Sequence, residues 1–395
     1  MRFFALALVL LAAAPAPVHH RYLVTWAMES KTFPGDMSGH DVLAVFDIDG
    51  PGFGTLVAAL PVDTRSQMAH HTNYALPPNR RLFANDFMAG QTYIFDLHDP
   101  RKPALAGTFT NAGAYQHPHS FAYLPNGHML ATYQIKGAND DTPGALAELD
   151  ATGRIVRTSD ASAPAEDANV RPYSLQVVPA IDRVVTTSAD MFMNSSVPAS
   201  HVVQVWRLSD LKLLKTIVLP KPKIYKGIAA QSADEARVLA DGKTVLVKTG
   251  TCGLFRLTGL EGSDPQATYV YDFGYRNCSG VPVVAGKYWI QSSMSGHAIV
   301  SLDVSDPAHP VEADHLFVGS EAQPHWIGIE PGTGNLVITG YGSMINRILL
   351  ARVNLHTGAL TLDRRTIDLS SRKWPDGWTG PVIPHGTLFL SDEKR

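Results

Sequence analysis

Short runs of Val, Ile, Leu, Thr, Tyr and Phe recur along the chain, each closed by Gly, Pro, Asn or Asp, a pattern that predicts strands joined by turns. Aligned on the turn, a unit of strand, turn and strand occurs at 75–83, 122–131, 175–186, 236–247, 281–290 and 327–338, with a seventh match at 381–390. Two more strand-like runs follow each of the first six, as at 92–97 and 104–109, 202–208 and 213–218, or 298–304 and 311–317. Each repeat therefore reads as a four-stranded sheet. The seventh has no room for outer strands, while the segments 22–26, 42–48 and 55–60 lack an inner partner. Joining the two ends completes the set. The prediction is an all-β, seven-bladed β-propeller whose last blade is closed by N- and C-terminal strands, because closure covers the edges an open array would expose.

Composition agrees with this picture: 32 Gly, 27 Pro and only 17% charged residues suit an all-β body with frequent turns. A formal net charge of −3 and no long charge run leave no footprint for nucleic acid. Met1-Arg2, an apolar stretch from Phe3 to Ala14 and a small-residue zone around Ala16 read as a signal peptide over 1–16. That leaves one propeller domain over 17–395, periplasmic or secreted, with no transmembrane helix after cleavage.

The repeats carry a chemical column. His71, His119 and His325 each stand six residues before a turn proline, at Pro77, Pro125 and Pro331. The same alignment puts Tyr173, Asp234, Ser279 and Trp378 at the other equivalent inner positions, so seven side chains ring the channel mouth on one face. One histidine there would be a wet channel residue; three in a column, with His70 beside one of them and His117 near another, suit Cu, Zn, Fe or Ni with a position left open. The metal candidates are His70, His71, His119 and His325, and the catalytic candidates are Asp234 and Tyr173. Asp234 either completes the site or orients a ligand.

A second column, Met28, Met88, Met191 and Met294 with Met344 and Cys252 slightly displaced, reads either as gap-filling between blades or as soft ligands for copper. Cys252 and Cys278 fall on one face of neighbouring blades, which favours a disulfide over a thiolate ligand. Pro384-His385-Gly386 aligns with Pro125-Asn126-Gly127 and so places His385 in a turn at the opposite end of its blade. His19 and His20 follow the expected cleavage site and read as an N-terminal tail in preference to a metal-binding mature N-terminus. No Gly-x-Ser-x-Gly, P-loop or His-Glu-x-x-His motif is present.

Three stretches carry a family resemblance: His70-His71-Thr72-Asn73-Tyr74 with Asn79-Arg80-Arg81-Leu82-Phe83, His117-Pro118-His119-Ser120 with Pro125-Asn126-Gly127-His128-Met129-Leu130, and Ser232-Ala233-Asp234 leading to Asp241-Gly242-Lys243-Thr244-Val245-Leu246. They resemble the selenium-binding protein family, whose bacterial members include methanethiol oxidases. The resemblance implies one copper ion held by histidines, with His70, His71, His119 and His325 as ligands and Asp234 as a supporting acid or base. It further implies oxidation of a small thiol by O2 to an aldehyde, hydrogen sulfide and hydrogen peroxide. The chain is shorter than the family pattern, lacks its cysteine-containing N-terminal segment and places Trp378 where another histidine would stand. Two other readings remain: a non-catalytic propeller that binds a metal or a protein, and a metal-assisted lactonase or other hydrolase.

Overall fold

A computed structural model describes residues 20–29, 39–65, 68–137, 142–162, 170–191, 202–220, 232–374 and 379–392. The expected signal segment, His19 and Trp378 lie outside these residues. The described strands form seven four-stranded antiparallel sheets arranged as a propeller, plus a two-stranded ladder of Arg372–Lys373 with Thr379–Gly380. The inner strands are Ala69–Thr72, Tyr115–Tyr123, Pro172–Val178, Ala233–Val238, Val283–Ala285, Ala322–Ile329 and Val382–Ser391. Blade 1 begins with Ala69–Thr72. Blade 7 combines Val382–Ser391 with Arg21–Glu29, His40–Asp47 and Leu56–Arg65.

Middle strands are apolar on both faces because each blade packs face to face on two neighbours. Val245–Thr249 and Val202–Arg207 are buried almost throughout, whereas the outer strand Ala104–Phe109 is largely exposed. Closure rests on the same packing: Leu23, Val42 and Val382 meet Val337, Ile348 and Leu350 of blade 6, while Trp26, Leu43 and Val45 meet Leu82, Ala84 and Phe95 of blade 1. Both flanks of the mixed blade are thus sealed by hydrophobic contact.

Irregularities in the inner strands position the site. In six of the seven, a residue too many faces the second strand: the register slips between Ala69 and Thr72, Pro118 and Phe121, Pro172 and Leu175, Ala233 and Glu235, Pro324 and Trp326, and Pro384 and Thr387. These are β-bulges, which re-aim a side chain out of the ladder. The bulged stretches contain His70 and His71, His119, Tyr173, Asp234, His325 and His385. The expected turn at 381–390 is accordingly a continuous strand with a bulge. Pro384-His385-Gly386 has turn composition, but a Cβ on Gly386 would stand 2.7 Å from the Thr72 side chain, so glycine serves close approach there rather than a bend.

In blades 1 to 6 a side chain on the second strand bonds to a carbonyl in or just before the inner strand of the next blade, in five cases within its bulged stretch. Asn85 Nδ2 donates to the Pro118 carbonyl (2.7 Å), Thr132 Oγ1 to Tyr173 (2.8 Å) and Thr187 Oγ1 to Asp234 (2.7 Å). Lys248 Nζ donates to the Cys278 carbonyl (2.7 Å), Ser292 Oγ to His325 (3.2 Å) and Thr339 Oγ1 to His385 (2.9 Å). Thr132 Oγ1 also accepts the Ser120 N–H, which the bulge removes from the ladder. Thr132→Val keeps the shape and loses both bonds; chemical denaturation is expected to show a loss of about 1–3 kcal/mol.

Cys252 and Cys278 form a disulfide with Cα atoms 5.0 Å apart. It closes a loop of 26 residues, and reduction is expected to cost roughly 3 kcal/mol, read as a lower denaturation midpoint in dithiothreitol. Both sulfurs are thereby removed from the ligand pool.

Candidate metal centre

Five histidines converge inside the channel. His71 and His119 have no exposed surface, His70 and His385 are 3% exposed and His325 8%. The column expected at the channel mouth is therefore buried rather than open at the surface. His70 stacks on His71 with ring centroids 4.4 Å apart and lies 4.3 Å from His385, while His71 and His119 are 4.2 Å apart and His325 and His385 5.0 Å. Two triads, His70 with His71 and His119 and His70 with His325 and His385, each bring one nitrogen per ring within 4.8 Å of the others. Tyr341 stands over His325, and the Trp326 ring edge meets His71.

Hydrogen bonds fix which nitrogen faces the chamber. A carbonyl only accepts, so the contacts of His119 Nδ1 with the Tyr173 carbonyl (2.8 Å) and of His325 Nδ1 with the Ser279 carbonyl (2.7 Å) put the proton on Nδ1. His71 Nδ1 meets Ser120 Oγ at 3.0 Å. Nε2 of His71, His119 and His325, Nδ1 of His70 and the ring nitrogens of His385 are buried without a hydrogen-bond partner. Buried polar atoms left this way are costly, and a metal ion would satisfy them.

All five rings are held neutral. Burial, with repulsion from the other rings, pushes His70, His71 and His385 well below the usual imidazole range. Burial brings His119 down to about 3 and His325 down to about 4, although the carbonyl bonds act in the opposite sense. Near neutral pH the donor set therefore carries lone pairs rather than protons, which is the form a metal binds. An all-imidazole set fits Cu, Zn, Ni or Fe and offers little to Ca or Mg, which take oxygen ligands.

A second polar network adjoins this chamber. The Tyr74 hydroxyl donates to Glu235 Oε2 (3.1 Å) and meets Ser120 Oγ at 3.1 Å, the same hydroxyl that touches His71 and His119. Glu235 is paired to Arg237 at 2.8 Å, and the guanidinium lies 3.9 Å over the Tyr74 ring. The histidine Nδ1 edge is thus tied through Ser120 to a buried ion pair in blade 4.

No protein-family profile matches the chain. A methanethiol oxidase of a Hyphomicrobium species is 24% identical over 325 residues, which covers 76% of this chain and 71% of that protein. The solved structure of a hypothetical selenium-binding protein from Sulfolobus tokodaii superposes with a TM-score of 0.73 at 13% identity, covering 96% of both chains. The chain is a distant relative of the selenium-binding protein and methanethiol oxidase group. A periplasmic gluconolactonase from Pseudomonas aeruginosa also superposes, with a TM-score of 0.63 at 11% identity over 94% of this chain and all of that one, a likeness of fold.

In this relative of the selenium-binding proteins, His70, His71, His119 and His325 meet as the repeat alignment requires, and His385 joins them. The placement of His385 at the far end of its blade is corrected: the bulge after Pro384 turns it into the chamber. Its signal was the Pro-His dipeptide at 118–119, 324–325 and 384–385, matched by Pro172-Tyr173.

Asp234 belongs to neither triad; its carboxylate is bound by Lys248 Nζ at 2.9 Å, and Lys248 has no exposed surface. Burial still raises the Asp234 pKa, against the pull of Lys248. Tyr173 packs on His119 at 3.9 Å between centroids, and burial followed by the Asp234 and Glu235 charges keeps its phenol protonated far above the usual range. Its ring thus lies directly against the histidine cluster. Ser279 contributes its carbonyl, and Trp378 is not among the described residues. His117 Nδ1 donates to the Phe87 carbonyl at 2.9 Å, and this ring belongs to neither triad. Met28 and Met344 pack in hydrophobic clusters between blades, and Met88 is exposed.

Proposed function

We propose that the protein is a copper-dependent oxidase of small thiols that converts a thiol, O2 and water to an aldehyde, hydrogen sulfide and hydrogen peroxide. The observation that carries this reading is the buried set of neutral imidazoles with unpartnered nitrogens facing one chamber. Similarity to a methanethiol oxidase supplies the reaction class. Copper bound by these rings would lower the pKa of a coordinated thiol and pass electrons singly to dioxygen.

The chain's own residues perform defined tasks in that scheme. The carbonyls of Tyr173 and Ser279 hold His119 and His325 with Nε2 inward, and the bulges of neighbouring blades set the distances between rings. Tyr173, Tyr341 and Trp326 surround the rings with aromatic surface, which favours a small apolar substrate and excludes water. The carboxylates next to the channel are committed elsewhere, Asp234 to Lys248 and Glu235 to Arg237, which disfavours a carboxylate-assisted hydrolase.

The test is oxygen uptake with methanethiol and ethanethiol by copper-loaded protein beside a His71→Ala/His119→Ala/His325→Ala variant. Uptake by the wild type with stoichiometric sulfide and peroxide, lost in the folded variant, supports the reading. A copper-loaded wild type that consumes no oxygen with either thiol contradicts it.

A further inference from the structure

The five rings do not form one coordination sphere. Donors about 2.1 Å from a common ion can lie at most roughly 4.2 Å apart, twice that bond length. Among the described residues the histidine nitrogens group within 4.8 Å only as the two triads, with no larger set. One ion cannot therefore engage all five rings in this arrangement. His70 is the shared member, stacked on His71 on one side and 4.3 Å from His385 on the other.

We propose that the chamber contains two metal positions, one bounded by His71 and His119 and the other by His325 and His385, with His70 between them. This rests on the copper reading above and extends it from one ion to two. A neutral imidazole offers one lone pair, so His70 completes one position at a time through a single nitrogen and the other position is held by its own two rings; the unpartnered Nδ1 of His70 is available for this. Each position has its own anchoring: Ser120 and the Tyr173 carbonyl hold the first pair of rings, and the Ser279 carbonyl with the Thr339 bond to the His385 backbone holds the second.

Charge decides which ions fit together. The five donors are neutral imidazoles, and Asp234, the carboxylate of the inner column, is paired to Lys248 at 2.9 Å, so among the described residues no anionic ligand offsets the charge of a bound ion. Repulsion between two ions scales with the product of their charges, so a divalent pair repels four times as strongly as a monovalent pair at one separation. Double occupancy is accordingly a property of cuprous copper, and the cupric state fills a single position.

The experiment titrates metal-free full-length protein anaerobically with cuprous ion in ascorbate, which leaves the disulfide intact, against a competing bicinchoninate chelator; bound copper is counted by mass spectrometry. Two cuprous ions per chain are expected for the wild type, one for His385→Ala and one for His119→Ala. A parallel cupric titration should stop at one. A wild type that saturates at one cuprous ion overturns the two-position proposal and leaves the copper centre standing. Two ions retained by both single variants also overturn it, because the copper would then sit elsewhere. No copper in either state defeats both readings together.

Discussion

Asp234→Ala is expected to destabilise the protein by about 3–5 kcal/mol, because it strands the ammonium of Lys248 in the interior. Lys248 has no exposed surface and makes two contacts, the Asp234 carboxylate at 2.9 Å and the Cys278 carbonyl at 2.7 Å. Removing the first leaves a buried charge with a single neutral acceptor. Against a total of roughly 5–15 kcal/mol, a loss of this size is a large share of the stability of the fold. The double variant Asp234→Ala/Lys248→Met, which removes both charges, is expected to recover most of it in the same denaturation experiment. If Asp234 were instead a catalytic acid or base, Asp234→Ala would stay as stable as wild type while losing turnover, and the second substitution would bring no rescue.

The second large effect is acid lability of the metal-free protein. The folded-state pKa values of the five histidines lie below the ordinary value, so between that value and the depressed one the unfolded chain binds protons that the folded chain refuses. Stability from this source is present above about pH 6.5 and is lost as pH falls, down toward 4 for His325 and 3 for His119. Each tenfold loss of proton affinity on folding is worth about 1.4 kcal/mol, so the buried rings weaken the fold by an amount on the order of a few kcal/mol over that window. Calorimetry from pH 7 to pH 4 should show a steep fall in the melting temperature. Copper-loaded protein should resist it, and a variant with all five histidines replaced by alanine should show a flatter profile. An equal slope in that variant would locate the acid sensitivity elsewhere.

Repeats were readable because blade packing imposes the same apolar runs and turns seven times, and the mixed closing blade follows from counting strands at the two ends. His71, His119 and His325 were readable through the proline six residues on. His385 was not, since a bulge in a continuous strand and a turn between strands recruit the same residues, Pro384 and Gly386. What separates them is the Arg21–Glu29 strand paired along the whole segment, a contact between residues more than 350 positions apart. The pairing of Asp234 with Lys248 was hidden for a related reason. Regular alternation does not show that the bulge shifts register between Ala233 and Glu235, which brings Asp234 onto Lys248. The tie of His71 and His119 through Ser120 to Tyr74 and Glu235 joins three blades and has no local signature at all.

The most direct test of the account is X-ray absorption at the copper edge on loaded protein, beside a variant in which His70, His71, His119, His325 and His385 are all alanine. The account predicts a shell of imidazole nitrogens near 2.0 Å with no sulfur neighbour, absent from the variant, which should retain no copper after dialysis. A sulfur shell, or copper held equally by the variant, would contradict it.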